Sequence, residues 1–409
     1  MRVRGFFGVW LTAAGGNLGD GLAITVFPLL ATRLTDVPAL VAGATFARTL
    51  PYAAAPLVAG ALVDRTNRRV LILGANTARC AAALALCAAL LSDLGSLGAL
   101  YAAAFLIGLG ETFADIGTSA LVPAVVGRDR LDRANSWLQG TESTLNEFVG
   151  PPVGGALILG GTALAAGGIA GAYLLAAAGM LLLRGAYRPA RSAPTTVRAD
   201  IADGLRFLWN HRVLRTLALM VTGMAACWSA WTAVLVLYVV EPGPVGLNSV
   251  GYGVLLSALA VGGVAGSFLT AFVQRGLGTR WVLAGDVVTS VVLLGTPALT
   301  ANPWIIGCAT FAGGLGSGMW NVVVRTLRQR LTPDELLGRV GGASRTLGWG
   351  AVPLGAALAG LIAEATGPRL VFALAAGTTA LMIVPVFRVL TASALAEHDT
   401  AARPAAAVE

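Results

Sequence analysis

Hydrophobic residues along this chain fall into long unbroken runs separated by short segments rich in arginine. A run must reach about 20 residues, at 1.5 Å rise per residue, to cross about 30 Å of hydrocarbon as a helix. Cut to that length, the runs give twelve expected spans: 6–31, 37–62, 70–91, 97–121, 136–160 and 163–183, then 215–239, 250–274, 281–300, 303–324, 341–363 and 369–390. A transmembrane barrel would instead show alternating segments of roughly ten residues. Backbone polar groups must be satisfied inside the bilayer, so helices are what remains. The expected fold class is an all-α membrane protein with twelve transmembrane helices in two pseudo-symmetric six-helix bundles.

Composition agrees. Of 409 residues, 56% are hydrophobic and 12% charged, with a mean hydropathy of +0.77, more apolar sequence than a water-soluble core absorbs. The net charge of +8 comes from arginine alone, since the chain has no lysine. These arginines sit in short clusters between spans rather than in one patch, which argues against nucleic acid as a partner and marks cytoplasmic loops. On that side fall Arg2 and Arg4; Arg65, Arg68 and Arg69; Arg128, Arg130 and Arg133; Arg275 and Arg280; and Arg325, Arg328, Arg330 and Arg339, against little beyond Arg33 and Arg369 outside. Both termini are therefore expected in the cytoplasm, in a multi-pass protein of the inner (plasma) membrane. The apolar stretch up to residue 31 is too long for a signal-peptide core and reads as a retained first helix. Cys80, Cys87, Cys227 and Cys308 lack the spacing of a metal site or a disulfide framework.

The connection at 184–214 divides the chain into two bundles, 1–183 and 215–390. Within it, Val197, Ile201, Leu205 and Leu208 recur at helical spacing, which predicts an amphipathic helix along the inner leaflet. The tail at 391–409 is Ala-rich and polar and is expected to be disordered. A weak duplication joins the bundles: DRLDR at 129–133 and ELLGR at 335–339 each introduce a Gly- and Pro-containing helix, GPPVGGAL at 150–157 and AVPLGAAL at 351–358. Parallel six-helix repeats would place it there.

Between spans two and three stand Gly60, Asp64, Arg65, Arg68 and Arg69. They resemble the Gly-x-Leu-x-Asp-Arg-x-x-Arg-Arg loop of the major facilitator superfamily. The expected physics is a close helix approach at Gly60, an acid at the membrane surface at Asp64, and basic residues held by the inner headgroups. The equivalent turn at 274–280 keeps the glycines and arginines and lacks the acid. A second resemblance, Gly150-Pro151-Pro152-Val153-Gly154-Gly155, is similar to a Gly-Pro-x-x-Gly-Gly motif of exporters in that superfamily, and its proline and glycines predict a bend with tight packing. The chain as a whole looks most like the drug- and siderophore-exporting branch, of enterobactin-exporter and macrolide-efflux type. Such a resemblance implies the twelve-helix major facilitator fold and assigns the loop residues to an inner gate. One departure is plain: span four has no arginine before Gly108 and Gly110, where proton-coupled members often carry one.

Ionisable residues within spans are costly, at about 2.5–3.5 kcal/mol each on insertion scales, and so demand a partner, a wet cavity or a function. Asp20 in span one and Arg48 in span two fall at comparable depth, so a structural Asp20–Arg48 pair competes with a proton-coupling role. Glu111 and Asp115 share one face of span four; either they repel and one holds a proton, or one binds an arginine such as Arg79. Gln139, Glu142 and Asn146 form a stripe in span five, with Glu147 beside it. The candidates for proton coupling are thus Asp20, Glu142, Glu111, Asp115 and Arg48. Asn17, Gln139, Asn146, Trp228, Trp231 and Trp320 are candidates to line a substrate cavity. Asp286 and Arg345 lie nearer the inner ends, where extension of the side chain to the surface would suffice.

The expected function is secondary active efflux of a small organic compound, a drug, siderophore or secondary metabolite, by proton-coupled antiport. The partners are the small-molecule substrate, protons and the lipid bilayer, and the chain is expected to act as a monomer. An uptake symporter or facilitator of the same fold, and a non-transporting assembly factor or receptor, remain open. There is no nucleotide-binding loop. His211 and His398 both lie outside the spans, so neither enzyme chemistry nor a cofactor or metal is expected.

Overall fold

The computed structural model describes residues 3–63, 65–92, 94–127, 130–185, 187–188, 197–333 and 336–390. Among them the chain is helical, with one isolated bridge between Val240 and Leu247. Eight helical segments are long and apolar enough to cross a membrane. Of the other four expected spans, the second and fifth are interrupted, and the first and tenth lie within the continuous helices Val3–Leu34 and Pro303–Leu331.

In chain order the first bundle contains α1 (Val3–Leu34), α2 (Pro38–Thr49), α3 (Ala55–Val63), α4 (Arg68–Leu91), α5 (Leu97–Val126), α6 (Leu131–Glu142), α7 (Gly150–Leu159) and α8 (Thr162–Leu182). The expected second span is not continuous: Leu50–Ala53 form a 3-10 turn between α2 and α3, because Pro51 withholds a backbone donor. The fifth is interrupted too, by a π-helical stretch at Ser143–Val149. The predicted bend therefore lies in the turns just before Pro151, where the wider stretch relieves the ring's clash with the preceding carbonyls.

The remainder runs α9 (Val197–Asn210), α10 (Arg212–Val239), α11 (Ser249–Leu277), α12 (Thr279–Leu299), α13 (Pro303–Leu331), α14 (Leu337–Gly350), α15 (Val352–Thr366), α16 (Pro368–Leu381) and α17 (Ile383–Arg388). The predicted amphipathic helix is present as α9. Its apolar face is covered by protein where it can be seen, since Leu208 is buried with Leu214, Ala218 and Val340. A Cβ at Gly204 would lie 2.4 Å from the Arg339 carbonyl oxygen. The duplication is visible in local structure: α6 and α14 each begin at the third residue of the repeated motif, Leu131 and Leu337, and each is followed by a second helix that opens beside its proline.

Packing divides the chain into two compact units, one of Met1–Pro194, Ser229–Ser257 and Val352–Pro368, the other of Thr195–Trp228, Ala258–Ala351 and Arg369–Glu409. In the first, small residues let backbones touch, as small-residue seams do in membranes. A Cβ at Gly15 would stand 2.5 Å from the Ala176 amide nitrogen, and one at Gly155 2.2 Å from the Ser249 carbonyl oxygen. The start of α11 and the whole of α15 thus pack inside this unit, α15 against α2 around Gly360, Ala39 and Ala42. In the second unit α11 and α13 meet along glycines, with Gly314 against the Leu259 carbonyl and Gly318 against that of Gly263.

Candidate functional site

Among the described residues the first unit holds two ion pairs, formed by Asp20, Arg79 and Glu111 near the middle of their helices and Arg48 in the last turn of α2. Asp20 of α1 bonds Arg79 of α4, and Arg48 of α2 bonds Glu111 of α5 at 3.0 Å. The expected Asp20–Arg48 pair does not form; the partners are exchanged. Glycine placement explains this. A Cβ at Gly108 would sit 1.9 Å from the Arg48 carbonyl oxygen, so α2 is drawn against α5 and Arg48 is delivered to Glu111. The stem of Arg79 crosses the bare face of Gly110, 2.5 Å from where a Cβ would be, and so reaches Asp20. The arginine absent from span four is in effect supplied across its glycine from α4.

Further groups fix the first pair. The Tyr173 hydroxyl donates to Asp20 at 2.9 Å, Arg79 donates to Asn76 at 3.3 Å, and its guanidinium stacks 4.0 Å from the Tyr173 ring centroid. Gly19 makes room for that ring. Arg79 and Asp20 are nearly inaccessible, with 1% and 5% of their side-chain surfaces exposed, while Arg48 and Glu111 keep 12% and 11%. Tyr52 bonds Glu111 from the 3-10 turn.

Asp115, one turn along α5 from Glu111, makes no ion pair and its surface is exposed. Its electrostatic neighbours are Glu111, Asp20, Arg79 and Glu142, which joins it to the cluster. Glu142 closes α6 and accepts from the Gln139 amide at 3.3 Å, with Glu147 as an acidic neighbour. Asn146 is half-buried and its side-chain oxygen has no partner. Asn17 is spent on the Ala13 carbonyl of its own helix. Trp10 was not singled out from the sequence; its indole donates to Thr141 at 2.9 Å and ties α1 to α6.

Other candidates fall elsewhere. Trp231 is fully buried with its indole nitrogen unpartnered, and Trp228 is half-buried. Trp320 belongs to an apolar core with Met220, Met224 and Val323 in the second unit, so packing rather than a cavity accounts for it in this conformation. Asp64 lies outside the described residues. Around it Arg68 donates to the Ala120 carbonyl at 2.9 Å and Arg69 to that of Met180 at 3.3 Å, stapling the loop to the ends of α5 and α8. Arg280 repeats this in the second unit, donating to Phe387 at the end of α17 at 3.2 Å. Gly60 does not serve a close approach, for a Cβ there would meet nothing within 4 Å. Gly150 and Gly154 do, against Gly21 and Leu22 of α1. A cleft of about 820 Å³ opens between α4 and α5, with Arg65 and Arg188 at one end and apolar walls that include Leu71 and Phe113.

The sequence matches the Major Facilitator Superfamily over residues 9–351. It is 33% identical to the multidrug efflux pump Tap of Mycolicibacterium fortuitum, across 96% of each chain. It is 29% identical to the enterobactin exporter EntS of Citrobacter koseri, across 74% of this chain and 72% of that one. Among solved structures, a bacterial homologue of the iron transporter ferroportin in an inward-facing state superimposes with a TM-score of 0.73 at 17% identity, over 95% of this chain and 99% of that one. The nucleoside transporter NupG does so with a TM-score of 0.74 at 12% identity, over 94% and 99%. At such identities these two establish the fold alone.

Proposed function

The chain belongs to the Major Facilitator Superfamily, and from that premise we propose that it exports small amphipathic organic compounds in exchange for protons by alternating access. The observation that carries this reading is the charge count of the cluster in the first unit. Asp20, Glu111 and Asp115 share it with two guanidiniums, Arg48 and Arg79, and Glu142 stands at its edge. Like charges this close repel, so the surplus acid favours a bound proton or a cationic ligand. A site that takes either one in turn exchanges them by linkage, without contact between the two. Asp20 and Glu111 are each bonded to a guanidinium and serve to hold the helices. Asp115, with Glu142 beside it, carries the proton.

The substrate class this cluster favours is neutral or cationic amphipaths. The functions for which the relatives are named, multidrug efflux and enterobactin export, support the outward direction. The chain works as a single copy in the cell membrane, with both termini in the cytoplasm and bundles 1–183 and 215–390 as its moving halves. Everted vesicles test the proposal with ethidium, a lipophilic cation, as probe. Accumulation that a protonophore abolishes is expected. Accumulation insensitive to the protonophore removes proton exchange, and uptake only into right-side-out vesicles would favour a symporter instead.

A further inference from the structure

The second unit contains a carboxylate that the cluster above does not use. Asp286 on α12 is 1% exposed, and neither of its side-chain oxygens has a hydrogen-bond partner. It does not reach the surface, contrary to the expectation from its place near the inner end of the span. One turn along the same face, Ser290 is fully buried and its hydroxyl oxygen is likewise unpartnered. The intervening Thr289 gives its hydroxyl to the Asp286 main-chain carbonyl at 3.1 Å and so does not serve the carboxylate.

The packing explains why no partner arrives. α13 presents Gly316 at this point, where a Cβ would lie 3.1 Å from the Asp286 Oδ1 and 1.9 Å from the Thr289 Oγ1. A bare backbone is the only thing that fits. On α12 itself Val282, Leu283 and Val287 belong to an apolar core with Met220 and Met224 of α10, Trp320 of α13 and Val386 of α17. None of the titratable groups on those helices engages the carboxyl: not Arg280, whose head lies over the Phe387 ring, nor Arg212, Arg215 and Cys227 of α10, Arg325, Arg328 and Arg330 of α13, or Arg388 of α17.

We propose that Asp286 is a second proton-binding site, protonated while α12 and α13 are closed on it. A bare carboxylate in apolar surroundings costs several kcal/mol, whereas the neutral acid costs far less. One added proton removes the charge and so accounts for a carboxyl that no donor or cation reaches. A metal cation fits less well, because hard cations take about six or more oxygens and the carboxylate offers two. Water entering as the α12–α13 seam opens would let the acid ionise and the proton leave. The proton cycle of the second unit is then tied to that opening. This rests on the proton-exchange reading for its role in transport, and not for its protonation.

Infrared spectroscopy of the full-length protein in lipid tests it. At pH 7, wild type minus Asp286→Asn should show a protonated carboxylic C=O band. A difference spectrum containing only ionised carboxylate bands overturns the proposal. Should Asp286→Asn fail to fold, Asp286→Glu decides: wild type minus Asp286→Glu should show that C=O band displaced, and a difference spectrum without any protonated carboxyl feature refutes the site. Ethidium flux in proteoliposomes gives the second arm. Asp286→Asn should flatten the pH dependence of flux, Asp286→Glu should restore it, and a uniform fall in rate with an unchanged profile would mean a structural role only. If wild type proves insensitive to a proton gradient, the export reading fails while the infrared result stands.

Discussion

Asp20→Asn keeps the size of the side chain and removes its charge. It leaves the Arg79 guanidinium, with 1% of its surface exposed, facing only the Tyr173 ring and Asn76. Breaking a buried pair from one side costs about 3–5 kcal/mol, chiefly through the stranded charge. At 1.4 kcal/mol per factor of ten, that is roughly a hundredfold to a few thousandfold in the folded equilibrium. Arg48 and Glu111 keep 12% and 11% exposure, so water can partly repay the loss and Glu111→Gln should cost less than Asp20→Asn. Removing both charges, in Asp20→Asn with Arg79→Gln, should recover much of the loss, with a coupling energy of about 1–3 kcal/mol. Unfolding of wild type, Asp20→Asn, Arg79→Gln, their double variant and Glu111→Gln in mixed micelles, followed by tryptophan fluorescence, measures this. Additive losses, or Asp20→Asn at wild-type stability with Arg79 intact, would refute the assignment of the pair.

Gly155→Val drives a side chain into the Ser249 carbonyl, 2.2 Å from the Cβ position; overpacking of about 1–3 kcal/mol should open the first unit there. A lone cysteine at Ala356, fully buried in this arrangement, should then react faster with an impermeant maleimide added outside cells, and an unchanged rate would count against the seam. Gly110→Leu should displace Arg79 and reproduce the instability of Asp20→Asn; wild-type stability would mean that the arginine does not need that face. Single cysteines at Thr66 and at Asn248, which is exposed at the start of α11, in a cysteine-free background should label from inside and outside respectively, and labelling of position 66 from outside would overturn the topology.

Apolar run length and arginine placement made the helices legible, because both obey averages over about 20 residues. The bend before Pro151 was partly legible, since proline's missing donor is a local matter, though its π-helical form was not; the break at Pro51 falls inside a span expected to be continuous. Pairing was the part that could not be read. Asp20 and Arg48 share a depth, but depth along a helix says nothing of which neighbour it faces. The discriminating signal lay in residues without side chains: Gly108 admits the Arg48 backbone, Gly110 the Arg79 stem and Gly19 the Tyr173 ring. Asp286 was misjudged for a related reason, because position near a span's end does not reveal that Gly316 of α13 closes over it.

The central claim is that protons and substrate compete for surplus negative charge in the first unit. Ethidium added to purified protein in weakly buffered solution, with a pH indicator, measures that competition without a membrane or a gradient. Wild type should release protons as ethidium binds, by the reciprocity of linkage, and Asp115→Asn should release fewer while still binding. Saturable ethidium binding with no proton release between pH 6 and 8 would contradict the account.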